Sequence, residues 1–137
     1  MSLIHKFKKL IGLEYLDILI KFSEEVKENY NKTINEKFLK HKDILSFNKP
    51  NTIEFIQGDF FERNWGDATL MLANSTCFSK ETMIKIAEKA NKECKSGTII
   101  ITFTKNMYKL NSDWQMVKGF RRLMSWGIAT VFLHIRK

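Results

Sequence analysis

The chain has 137 residues, 44% hydrophobic and 28% charged, a balance that fits one globular domain and excludes a disordered chain. Its 23 Lys and Arg residues outnumber 15 Asp and Glu, and the resulting net charge of +8 points to an anionic partner such as nucleic acid or chromatin. Two cysteines, Cys77 and Cys94, and three scattered histidines, His5, His41 and His134, provide neither a disulfide framework nor metal-ligand spacing, and no apolar run approaches the roughly 18–20 residues that cross a bilayer.

The basic opening MSLIHKFKKLIGL lacks the arginines of an organellar presequence and reads as mature structure. Residues 3–9 suit the last turns of a helix, and Leu10 to Leu13 a short buried strand ending at Glu14. From Leu16 to about Lys40, apolar residues at Leu19, Phe22, Val26, Tyr30, Ile34 and Phe38 fall three or four apart, which predicts a long helix with that stripe turned inward. A polar connector containing Pro50 leads into a strand over 52–57 and a turn at Gly58 and Asp59.

The apolar run 68–73 predicts a strand covered on both faces. Ser79 is a natural N-cap, with Glu81 in the first turn of a helix whose inner stripe is Met83, Ala87, Ala90 and Cys94 and whose stop is Gly97. Thr98 to Thr104 is a β-branched strand, and residues 105–112 form a polar loop. Trp114–Met124 and Ala129–Ile135 then read as two strands joined at Ser125, Trp126 and Gly127. Alternation of this kind predicts an α/β fold: a mostly parallel sheet with helices on both faces, closed by a C-terminal antiparallel strand pair that reverses one strand.

Two strand endings carry the chemistry. Asp59, Phe60 and Phe61 follow the first of them, and Asn74 follows the second. Ligands of open α/β sheets sit outside the carboxyl ends of strands, so the stretch Gly58–Phe78 is the candidate binding crevice. A carboxylate beside an aromatic ring suits a purine, through stacking and acceptance from its amino group. The competing reading makes Asp59 and Asn74 ordinary turn residues. Lysine supplies 19 of the 23 basic residues and is spread among glutamates, a pattern that AT-rich coding sequence also produces; only Lys118, Arg121 and Arg122 form a compact basic group.

With these residues placed, the chain resembles a class I S-adenosylmethionine-dependent methyltransferase. It is most similar to the disruptor-of-telomeric-silencing histone-lysine methyltransferases and their protist relatives. The matching motifs are GLEYLD at 12–17, GDFF at 58–61 with Trp65, LANSTCF at 72–78, SGTIIITFTK at 96–105 and MSWGIATVFLH at 124–134. The resemblance implies a Rossmann-like fold and S-adenosylmethionine as cofactor. Glu14 would hold its ribose hydroxyls, Asp59 its adenine amino group, and Phe60 would stack on the base. It further implies that Asn74 orients the acceptor amine and that Phe78 walls its channel, with a histone or other protein lysine, and so the nucleosome, as partner in the nucleus. Glu14 as a solvated acid, and Phe60 and Phe78 as packing, are the alternatives. Ser75 and Thr76 depart from the family's motif.

A larger departure is the glycine-rich turn, which such folds place about 20 residues before the ribose-binding acid. Counting back from Glu14 passes Met1, and the six glycines are dispersed. By the resemblance, the family's first strand is missing from these residues. The expectation is therefore an incomplete domain of impaired activity, one whose gap is closed by direct pairing of strands 10–13 and 68–73, or one whose sheet a partner chain completes. Two other readings compete: a non-catalytic methyltransferase-like subunit, and a basic nucleic-acid-binding module.

Overall fold

The structure, a computed structural model, describes residues 7–40, 52–107 and 110–137, with the backbone alone over 34–40. The chain divides into two compact units, Met1–Glu62 and Arg63–Lys137.

The first unit holds strand β1 (Lys9–Glu14), helix α1 (Asp17–Lys40) and strand β2 (Thr52–Gln57). The two strands are parallel and in register from Lys9↔Thr52 to Glu14↔Gln57. Parallel pairing needs a crossover, which α1 supplies. Gly12 lies opposite Phe55, and a Cβ there would meet the ring's Cδ1 at 2.5 Å, so the missing side chain is what lets the ring lie across β1. Phe7 and Lys8 are not helical and Lys9 already belongs to β1, which corrects the helix expected over 3–9; pairing with Thr52 draws Lys9 into the ladder. Residues 3–6 and the Pro50 connector lie outside the described residues.

The length of α1 follows the sequence reading, but its orientation does not. Phe22 is 62% exposed and Val26 59%, with Leu19 also outward, whereas Tyr30 of the expected stripe is half-buried, as are Ile20, Ser23, Lys27 and Asn31. The start of the helix sets this rotation. The Glu14 carboxylate accepts from the N–H groups of Tyr15 and Leu16, and the Leu16 carbonyl accepts from Leu19 and Ile20. Lys27, paired with Glu24, then lies with its amine 6.0 Å from the centre of the Phe55 ring. Ile34 and Phe38, the remainder of the expected stripe, have side chains outside the described residues.

The second unit contains β3 (Leu70–Ala73), α2 (Lys80–Glu93), β4 (Ile99–Phe103), β5 (Trp114–Met124) and β6 (Gly127–Arg136). Their sheet order is β3-β4-β6-β5. β3 and β4 are parallel, and β6 is antiparallel to both β4 and β5. The expected hairpin is present, and its second strand inserts beside β4, so β6 is the reversed strand and β5 the edge.

Among the described residues, every buried side chain belongs to this second unit: Trp65, Met83, Ile86, Ile100, Trp114 and Val131 are its large apolar members. The inner stripe of α2 is as read from the sequence, with Met83, Ala87, Ala90 and Cys94 all buried. Ser79 caps the helix by accepting from the Thr82 N–H at 3.1 Å. Gly97 is not the helix stop, however. The helix closes at Cys94, and Gly97 takes the left-handed position (φ +85°) of the turn in which Thr98 N–H donates to the Lys95 carbonyl.

Candidate functional site

Because β1 and β2 run in the same direction, their carboxyl ends share one rim. Gly58 N–H donates to the Glu14 carbonyl at 3.0 Å, which fixes the Gly58–Asp59 turn directly beside Glu14. Both acids are partly spoken for. Glu14 Oε1 accepts from Tyr15 and Leu16 at 2.8 and 3.1 Å, and Asp59 Oδ1 accepts from Phe61 N–H at 2.8 Å. The turn role weighed for Asp59 is therefore real. Among the described residues, Glu14 Oε2 and Asp59 Oδ2 accept no hydrogen bond, so each acid has one oxygen uncommitted. Phe60 is half-buried with its ring centre 4.4 Å from that of Phe61, at a tilt of 39°.

In the second unit, Asn74 follows β3 at the carboxyl rim of that sheet. The loop it opens is pinned by Ser75, which is fully buried. Ser75 Oγ donates to the Phe103 carbonyl at 2.7 Å and accepts from the Phe103 N–H at 3.2 Å. One hydroxyl thus continues the β3–β4 ladder for a residue after the backbone of β3 has turned away. Thr76 Oγ1 donates to Asn74 Oδ1 at 3.3 Å and lies 3.2 Å from Thr104 Oγ1. Thr104 has φ +64°, a left-handed conformation that a β-branched residue adopts only under strain. Phe78, half-buried, closes the loop through its N–H to the Ser75 carbonyl at 3.1 Å and immediately precedes the cap of α2.

No protein-family model matches the chain, and no curated protein matches it. A similar solved structure is that of an RNA methyltransferase from Salinibacter ruber in complex with S-adenosyl-L-homocysteine. It is 20% identical, with a TM-score of 0.58 over 93% of this chain. The fold is that of the class I methyltransferases. The chain spans 65% of the length of that solved protein.

Within this methyltransferase fold, the structure brings Glu14 and Asp59 to one rim in the first unit. In the second, it gathers Asn74, Ser75, Thr76 and Thr104. Sequence reasoning missed the last three as working residues. Ser75 and Thr76 were visible only as departures from a motif, and Thr104 as the end of a strand. Their signal lies in contacts 28 residues apart, which no local pattern records.

A second polar cluster braces the entry to β3. Glu93 pairs with Lys89 at 2.6 Å and accepts from Trp65 N–H at 2.8 Å; the Lys89 hydrogen bond, then that of Trp65, holds its carboxyl below the usual range. The Lys89 amine lies 5.2 Å from the centre of the Trp65 ring. An open pocket lined by Gly66, Asp67, Lys95 and Thr98 occupies the amino ends of β3 and β4. It lies at the rim opposite Asn74, where α/β sheets do not place their ligands, and we assign it no role.

Proposed function

We propose that the chain is an S-adenosylmethionine-dependent methyltransferase domain. The observation that carries this is the pair of carboxylates on one rim of the parallel β1–β2 sheet, each with one oxygen free. A ribose diol and an exocyclic amino group are donors, and they fit acceptor-only oxygens of this kind. Glu14 Oε2 would take the diol, Asp59 Oδ2 the amino group, and the Phe60 face the base. Bound there, the cofactor supplies a methyl group activated by its sulfonium. Asn74 would orient the acceptor amine through its amide oxygen, which accepts a hydrogen bond without itself titrating. Phe78 would wall the acceptor channel.

For the acceptor, the reading taken from the sequence is a lysine of a histone or another protein, in the nucleus. The motif around Asn74 supports it, while Ser75 and Thr76 separate this chain from the family that carries it. A second reading takes RNA as acceptor. The similar solved structure is an RNA methyltransferase, and the net charge of +8 suits a polyanion.

Calorimetry of the 137-residue chain with S-adenosylhomocysteine tests the proposal. Saturable binding is expected, weakened at least tenfold by Glu14→Ala and by Asp59→Ala. Absence of saturable binding would overturn it in favour of a non-catalytic subunit. Radiolabelled methyl transfer to nucleosomes and to RNA then decides the acceptor.

A further inference from the structure

The last 24 residues, Trp114 to Lys137, contain five basic residues and no acid. They are the β5–β6 hairpin, whose β5 forms the edge of its sheet. Lys118, Arg121 and Arg122 are exposed and, among the described residues, make no ion pair; the hairpin's other cation at the sheet's far end, Arg136, is held by Asp113 and by the carbonyls of Ala90 and Cys94.

The three free cations are arranged rather than scattered. The register Lys118↔Leu133, Phe120↔Val131, Arg122↔Ala129 puts Lys118, Phe120 and Arg122 on one face of the ribbon. The Lys118 amine lies 5.6 Å and the Arg122 guanidinium 4.9 Å from the centre of the Phe120 ring, so one aromatic holds both cations. Arg121 points to the other face. Four residues of extended chain separate Lys118 from Arg122, roughly 13 Å, which is long enough to meet successive phosphates. At the turn, Trp126 is 57% exposed and, among the described residues, no ring is stacked on it.

Basic residues on an edge strand also discourage strand-to-strand aggregation. That role asks for charge at the edge. It does not ask for a segment free of acids, for two cations mounted on one ring, or for an exposed indole beside them.

We propose that the β5–β6 hairpin is a docking surface for single-stranded nucleic acid. Lys118, Arg121 and Arg122 contact phosphates, and the Trp126 indole stacks on a base. Charge complementarity selects this occupant: a phosphodiester strand offers one anion per nucleotide to a surface that carries only cations. The surface shares no residue with the proposed cofactor site, so it stands or falls independently of the methyl-transfer reading.

Fluorescence anisotropy of a labelled 12-nucleotide RNA with the 137-residue protein tests it. Three phosphate contacts predict that log K falls with log salt at a slope of about −2. Lys118→Ala, Arg121→Ala and Arg122→Ala together should weaken binding at least tenfold and bring the slope close to zero. Trp126→Ala should weaken binding about tenfold with the slope retained. A second triple variant, Lys85→Ala, Lys92→Ala and Lys95→Ala, removes the same charge elsewhere and should change affinity less than threefold; circular dichroism confirms that each variant is folded. Equal losses from the two triple variants would show a net-charge effect and overturn the proposal. So would binding to phosphatidylserine vesicles without binding to the oligonucleotide, which would assign the exposed Leu123, Trp126 and Ile128 to a bilayer instead.

Discussion

Replacing Ser75 by alanine removes a single oxygen and should unsettle the loop that carries Asn74. The Phe103 carbonyl and N–H both face Ser75 Oγ, at 2.7 and 3.2 Å, and Ser75 has no exposed surface. Alanine leaves the Phe103 N–H without a partner, at about 1–3 kcal/mol for a buried group, while the Phe103 carbonyl keeps the Lys105 N–H at 2.6 Å. The expected loss is therefore about 1–3 kcal/mol, a sizeable share of the 5–15 kcal/mol typical of a domain. With a urea dependence of roughly 1.5 kcal/mol/M, the unfolding midpoint should fall by roughly 0.7–2 M. Ser79→Ala is the control: it removes a hydroxyl that caps an exposed helix end, and about 1 kcal/mol is expected. A midpoint shift for Ser75→Ala no larger than that of Ser79→Ala would refute the idea that this hydroxyl substitutes for a strand residue.

Three further outcomes are expected. His134 is buried with its Nδ1 unpartnered, and desolvation lowers its pKa below the ordinary 6.5. The unfolded chain therefore binds the proton more readily, and the neutral folded form is fully favoured above pH 6.5. Stability should fall as pH drops from 6.5 towards the lowered folded value, and urea titrations of His134→Gln across pH 7 to 5 should lose that component. Burial pushes the Cys94 thiol up to about 11, whereas Cys77 is exposed. Iodoacetamide at pH 8 should accordingly give one adduct on the native protein, at Cys77, and two after unfolding, as read by mass spectrometry. Finally, Met83→Ala should cost about 2–5 kcal/mol because Met83 is fully buried, whereas Phe22→Ala should cost less than about 1 kcal/mol because its ring faces solvent. Equal losses in chemical denaturation would show that the outward face of α1 is covered in solution.

Local signals carried much of the fold. Strand 52–57 and strand Trp114–Met124 begin and end where alternation and turn residues indicated, and the inner stripe of α2 follows from a 3.6-residue period with Ser79 as its cap. The same period in α1 identified a helix, but of its stripe Leu19, Phe22 and Val26 lie outward and only Tyr30 is half-buried among the described side chains. Periodicity reports that an apolar stripe exists, while the rotation of the helix is set at its start, here by the Glu14 carboxylate on the N–H groups of Tyr15 and Leu16. Gly97 was assigned to a helix end because glycine marks any left-handed position, and only the backbone shows that a turn holds it.

By itself, the sequence determined the kinds and order of the elements, the strand endings that present Glu14, Asp59 and Asn74, and the acid-free basic hairpin at the C-terminus. These depend on neighbours a few residues apart. Only the tertiary structure decided that β6 enters between β4 and β5, that Ser75 completes the ladder against Phe103, and that Thr104 is strained opposite Thr76. Each of those rests on pairing between segments more than 25 residues apart, where the free energy of a contact depends on what the rest of the chain has already brought together.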